Sequence, residues 1–295
     1  MNEKGWTSLH TVKQRITIKV VVNDKKVVEM PLFYRGLVKT TKYYSRDTYL
    51  CPFLKGNNQM KKVLLALFAL AGFTAAHAEV TGNLGLASDY RFRGISQTQL
   101  APAVQGGIDF ADKSGLYIGN WNSSVSSQMY TNGAGLESDF YAGYKKEFGG
   151  ITFDVGSYNY LYPRASAANG ARFDTNEVYI GASRGPVALK ASQSVSDYFG
   201  AANSTGSRYY QADVAFPVAA KITLNAHAGM TSVANNSTLN YNDYNVGATY
   251  DLSGWAISAK YYTNSSLGSG VVSGNTINGL DLTKNALVVS ASKSF

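Results

Sequence analysis

The sequence predicts an all-β protein: a transmembrane antiparallel up-and-down β-barrel of about 12 strands behind a cleaved N-terminal signal peptide. Three observations predict it: an export signal inside the chain, apolar–polar alternation throughout residues 79–295, and connections that alternate between short and long.

The chain opens on a leader, residues 1–59, carrying Lys25-Lys26, Arg35, Lys39, Lys42 and Arg46 without a helical period. Thr17–Val22 reads as a strand with no obvious partner sheet. Two readings are open: translation starts at Met60, or a true extension precedes a delayed signal. The first is favoured, because a basic leader would hinder recognition of the signal; failing that, the segment is expected to be disordered.

Residues 60–78 follow the three-part plan of a secretory signal. Met60-Lys61-Lys62 is the charged start, Val63–Phe73 the apolar run, and Ala76-His77-Ala78 supplies the small residues for cleavage between Ala78 and Glu79. The apolar run falls short of the ~20 residues that a spanning helix needs.

That division explains the bulk charge. The whole chain is +8, which suggests a nucleic-acid partner. Residues 1–78, however, hold 13 Lys+Arg against 4 Asp+Glu, a net of +9, whereas residues 79–295 hold 14 against 15, a net of −1. The exported part is therefore not expected to bind nucleic acid. The single cysteine, Cys51, lies upstream of the signal, so the exported part forms no disulfide, as suits a bacterial envelope protein.

Residues 79–295 are expected to form the barrel. Lys221–Met230 sets Ile222, Leu224, Ala226, Ala228 and Met230 against Lys221, Thr223, Asn225 and His227, the period of a strand between two environments. Asp139–Lys145, Gln211–Phe216, Asn245–Asp251, Trp255–Tyr262 and Asn285–Phe295 alternate likewise. Short turns fall at 111–115, 148–150, 184–186, 217–219 and 252–254. Longer Gly/Ser/Asn-rich links fall near 94–101, 124–134, 163–172, 199–207, 234–240 and 267–283. Five short turns and six long loops join twelve strands, with both termini on the short-turn side, expected to be periplasmic. Closure is required because lipid cannot satisfy an open sheet edge. Tyr90, Phe92, Tyr144, Phe148, Tyr160, Phe216, Tyr250, Trp255 and Tyr261 are expected in two aromatic girdles. These girdles favour the barrel over a soluble sandwich.

Two stretches carry a family likeness. Tyr90-Arg91-Phe92-Arg93-Gly94-Ile95-Ser96-Gln97-Thr98 and Gly115-Leu116-Tyr117-Ile118-Gly119-Asn120-Trp121 resemble the TorF family of proteobacterial outer-membrane proteins, regarded as porins. The resemblance covers the exported region and nothing before Met60. It implies an outer-membrane barrel and a pore, without further chemistry.

With the apolar face to lipid, the polar face lines the interior. That places Asp109, Asp139, Glu147, Asp154, Glu177, Asp213 and Asp251 inside with Lys145, Lys190, Lys260, Asn225 and His227. Arg91 and Arg93 come into register near the outer end of the first strand, either as a rim site for anionic solute or lipopolysaccharide phosphate, or paired with Asp89 and neighbouring carboxylates to fix the first strand against the last. The third strand leaves open whether Tyr117-Gly119-Trp121 or Leu116-Ile118-Asn120 faces outward.

Catalysis finds little support: the exported chain has one histidine, His227, which no serine such as Ser192 or Ser258 can be placed beside, and no metal or cofactor set. Twelve strands lie between small barrels of about 8, filled by side chains, and porins of about 16–18 with open channels. The reading is a porin-like channel for passive diffusion of small polar solutes, with a weak cation preference. The alternative is a non-conducting surface or structural barrel acting through its outer loops. Expected partners are outer-membrane lipid and lipopolysaccharide, the solutes, and the barrel-assembly machinery through the terminal Phe295. The oligomeric state is left open.

Overall fold

The structure is a computed structural model. It describes the backbone of residues 11–22 and 26–37, and residues 78–295 apart from 131, 134, 168–169, 266–270 and 272–274. The signal segment through His77 lies outside the described residues. In the leader, β1 (Thr11–Val22) and β2 (Lys26–Leu37) pair antiparallel from Thr11↔Leu37 to Val22↔Lys26. The Thr17–Val22 strand thus has a partner that sequence alone did not supply.

Ala78 begins the first strand of the barrel, paired with Asp112, and Glu79 pairs with Ala111. The strands are β3 (Ala78–Ala87), the two-residue β4 (Arg91–Phe92) and β5 (Ile95–Ser96), β6 (Ala103–Asp112), β7 (Leu116–Ser124), β8 (Leu136–Phe148) and β9 (Ile151–Leu161). They continue with β10 (Thr175–Arg184), β11 (Val187–Ser194), β12 (Arg208–Ala219), β13 (Ile222–Ser232), β14 (Tyr241–Leu252) and β15 (Trp255–Ser265). The short β16 (Thr276–Ile277) and β17 (Leu280–Asp281) precede β18 (Ala286–Ser294).

Twelve of these close into one antiparallel ring, β3-β6-β7-β8-β9-β10-β11-β12-β13-β14-β15-β18 and back to β3. Every tight turn lies at one end and every long connection at the other, as the spacing of turn residues predicts. One turn differs. β12 runs through Pro217–Ala219 with an irregularity in register there, and the reversal comes at Ala220-Lys221. Proline removes one ladder donor, which a bulge tolerates, so the strand continues past it.

The outer face is apolar and open. Ile108, Ile180, Leu189, Phe216, Val246 and Leu287 are all more than half exposed, the reverse of a soluble core. Near the tight turns Tyr144, Phe148, Phe216, Tyr250 and Trp255 form the expected girdle, and Tyr261 also faces out. Tyr90 and Tyr160 are instead buried inside, with Phe92 packed among them. The girdle reading fails for these three because their rings fill the barrel rather than edge it.

The seam is short. β18 and β3 share five register pairs, Ser290↔Ala87 to Ser294↔Asn83. Beyond them Gly82 N–H donates to the Phe295 carbonyl (2.8 Å) and Phe295 N–H returns the bond (2.9 Å). The Phe295 ring lies against Gly82, where a Cβ would come within 2.6 Å of it.

Candidate functional site

The site is built around a loop that turns inward. Between β3 and β6 the chain forms a miniature hairpin, β4 against β5, with Phe92↔Ile95 paired across Arg93-Gly94. Both turn residues have positive φ, 47° and 79°, as the tightest right-twisting hairpins require. Glycine takes that conformation freely; arginine does not, so the side chain at 93 is the reason for it.

Asp89 organises the base of the hairpin. It accepts from Arg91 Nε (2.5 Å), Ser96 Oγ (2.6 Å) and Thr98 Oγ1 (3.0 Å). Arg91 Nη1 donates to the carbonyls of Leu282 (3.2 Å) and Lys284 (2.8 Å), fastening the first loop to the last. Arg93 reaches across the barrel instead. Its guanidinium forks onto Glu177 of β10 at 3.0 and 2.7 Å, a strand five places round the ring from β3. It also donates to Tyr198 Oη (2.8 Å) and lies 4.0 Å from the centre of the Tyr209 ring. Burial disfavours the Arg93 charge, but Glu177 with Tyr198 and Tyr160 outweighs it and holds the pKa well above that of a free arginine. Tyr241 Oη donates to the Arg93 carbonyl (2.9 Å), which pins the hairpin tip.

The inner wall is lined with tyrosines lying over glycines. Tyr117 donates to Asp154 (2.6 Å) and meets Tyr179, and Tyr141 donates to Asp109. Tyr209 donates to Asp243 and lies 3.0 Å from His227 Nε2, while His227 Nδ1 is 2.7 Å from Asp213. A Cβ on Gly229 would come within 2.1 Å of Tyr209 Oη and 2.5 Å of Asp243. Gly229→Val is accordingly expected to drive Tyr209 off both partners and to destabilise the barrel by roughly 1–3 kcal/mol. Denaturant unfolding followed by tyrosine fluorescence checks this, and an unchanged midpoint would refute it.

Arg91, Arg93, Asp139, Glu177, Lys190 and His227 border one cavity of about 410 Å³. Asp213, Asn225, His227 and Lys260 border a second, of about 300 Å³, which extends to the Gly185-Pro186 turn. A third, of about 310 Å³, lies among the long loops. His227 and Asn245 are shared by the second and first cavities, and Phe92 by the first and third, so the three stand in series with the hairpin at the upper junction. Asp109 and Asp154 take the tyrosine bonds described, with Lys145 3.9 Å from Asp154.

Some placements differ from expectation. Arg91 follows the reading that pairs it with Asp89 and ties the first strand to the last, but it and Arg93 act from the inserted hairpin rather than from the rim, because the Glu177 partner of Arg93 is inside. Asp251 is exposed at the end of β14, where its carboxylate takes the Gly254 N–H (2.8 Å) and caps the turn, and Glu147, also read as interior, is likewise exposed at the end of β8. The open question on β7 resolves with Tyr117, Gly119 and Trp121 inward: Tyr117 bonds Asp154, and the Trp121 ring meets Tyr90 edge-on at 5.3 Å. Asp243 and Glu137 were missed. β14 begins at Tyr241 rather than Asn245, and the same alternation carried four residues back would have found Asp243. Glu137 lies just before the stretch read as β8.

A closed ring of twelve strands, apolar outside and polar within, defines a transmembrane β-barrel of the outer-membrane type. Residues 71–295 match the family described as "Bacterial protein of unknown function (Gcw_chp)", and the chain belongs to that family. No curated protein matches the sequence. Among solved structures it is similar to a KdgM porin in complex with disordered oligogalacturonate (9% identity, 74% of this chain and 99% of that one, TM-score 0.43). It is also similar to LpxR from Salmonella typhimurium (11% identity, 73% and 99%, TM-score 0.36). A third is Pseudomonas aeruginosa OccK5 (OpdH) (14% identity, 75% and 68%, TM-score 0.35).

Proposed function

We propose that the protein is an outer-membrane passage for small hydrophilic solutes, narrowed by its own first loop. The observation that carries this reading is a series of cavities: two with charged and polar walls that share His227, and a third, walled mostly by aromatic and aliphatic side chains, that shares Phe92 with the first. A barrel serving only as a scaffold has no need of aligned internal space. We read the tight-turn end, with both ends of the barrel sheet, as periplasmic and the long loops as facing lipopolysaccharide. We assign Phe295, seated on Gly82, to recognition by the assembly machinery. We read the two motifs as a likeness to the TorF porins.

Interior acids outnumber interior bases, so the passage favours cations. The purified chain in planar bilayers under a salt gradient should show discrete steps with a reversal potential on the cation side. Asp213→Lys, at a half-exposed position on the wall of the cavity nearest the tight turns, should move that potential toward anions. A folded, heat-modifiable barrel that never conducts would overturn the proposal.

One observation favours a second reading. Tyr90, Tyr130, Tyr160 and Tyr162 pack with Phe92, Phe173 and Phe199 into a contiguous cluster under the long loops. A barrel stoppered in this way would act through its outer surface, and absence of conductance would select that role.

A further inference from the structure

Two carboxylates of β8 stand apart from the other charges of the interior. Glu137 and Asp139 are alternate residues on the inward face, 0% and 2% exposed. Glu137 accepts from Tyr90 Oη at 3.2 Å. Glu137 Oε2 and Asp139 Oδ1 have no hydrogen-bond partner among the described residues. Neither carboxylate has a cation within ion-pair distance among the described residues, although the cavity holds several bases. Arg91 is taken by Asp89, Arg93 by Glu177, and His227 lies between Asp213 and Asp243. Lys190, on β11, lies over the Tyr179 ring, three strands away round the wall.

Burying a carboxylate without a counter-charge is costly, and an orphaned oxygen adds to the cost. The surroundings show what kind of cation would relieve it. Asp139 borders the cavity of about 410 Å³ together with Tyr90, Trp121, Tyr141, Tyr158 and Tyr160. Tyr141 and Tyr158 are stacked at 5.0 Å, Tyr158 and Tyr160 pack at 4.6 Å, and Tyr90 meets Trp121 at 5.3 Å. Such a wall has few free oxygen ligands for a metal ion, but its ring faces attract a weakly hydrated organic cation. The cavity has room for a small head group and opens toward the tight-turn end through His227.

We propose that this recess is a binding site for an organic ammonium group, held by the Asp139 carboxylate, reinforced by Glu137 and enclosed by Trp121 and the tyrosines. It deepens the passage reading by naming the solute class, and rests on that reading only for the route by which the ligand arrives. Arg93 bounds the site on the loop side, so an ammonium solute would pause below the hairpin.

The test is calorimetric titration of the detergent-purified full chain with choline, and separately with neohexyl alcohol, its uncharged carbon isostere. Choline is expected to bind at least tenfold more tightly, and Asp139→Asn should remove that preference. Trp121→Leu should weaken choline binding several-fold and leave the alcohol little changed. Equal binding of the two probes, or a preference that survives Asp139→Asn, would overturn the proposal. The probe comparison needs no altered protein, so a variant that fails to fold does not protect the idea. Bilayer conductance is read separately. Choline binding without conductance upholds the site and removes the passage, whereas conductance without choline preference removes the site alone.

Discussion

Arg93→Ala is expected to destabilise the barrel by roughly 3–5 kcal/mol and to enlarge its conductance steps. The side chains of Arg93 and Glu177 are only 6% and 2% exposed, and their fork joins the inserted hairpin to the far wall. Removing the guanidinium leaves the Glu177 carboxylate buried, with the Tyr160 hydroxyl (3.4 Å) as its only remaining side-chain bond among the described residues. It also leaves the Tyr209 ring uncovered and frees the hairpin that separates two cavities. Denaturant unfolding and planar-bilayer recording read the two effects independently. The double variant Arg93→Met, Glu177→Leu should regain most of the stability, because it removes both charges together. It should still conduct more than the parent, since the tie across the lumen is gone. If Arg93→Ala alone leaves both midpoint and step size unchanged, the fork holds neither fold nor constriction.

Gly94→Val should produce an opening of a different origin. Gly94 has φ of +79°, and a Cβ there would come within 2.1 Å of Asn264 Oδ1 and 2.8 Å of the Asp243 Cβ. The backbone strain alone costs about 1–3 kcal/mol, and the clash lies against two strands of the wall rather than against solvent. The hairpin cannot seat its tip, so Arg93 is withdrawn from Glu177 without any charge being altered. Larger conductance steps with cation preference intact are the expected result. Unchanged steps would mean that the hairpin tip does not set the width. Comparing the two variants separates the contribution of the charge from that of the loop position.

Much of the architecture could be read from the sequence because its signals are local. Alternation along Lys221–Met230 reports two environments directly, and Gly149-Gly150, Gly185-Pro186 and Ser253-Gly254 mark reversals by their own backbone needs. Pro217 misled for the same reason: a turn-forming residue sits inside a strand that tolerates it through a bulge. The interior was far less legible. An inward and an outward tyrosine look alike in a period-two pattern, so Tyr160 reads as girdle although its neighbour across the strand pair is Thr175 of β10 and its ring lies on Phe92. The inward fold of the first loop depends on Arg93 meeting a carboxylate 84 residues away, and no local pattern encodes such a meeting. Asp89 and Asn264, which hold the hairpin in place, are unremarkable as sequence.

The seam between the first and last barrel strands has a consequence for biogenesis. Its last rung is made by Phe295 with Gly82, more than two hundred positions earlier. The remaining ladders join strands that follow one another directly or across one connecting loop, and can form as soon as their neighbours arrive. This one cannot be completed before β18 and Phe295 have been delivered. Until then the sheet has two raw edges, each able to pair with any passing strand. Ring closure therefore waits on delivery of β18, and a chain lacking that strand would remain an open ribbon whose edges lipid cannot satisfy.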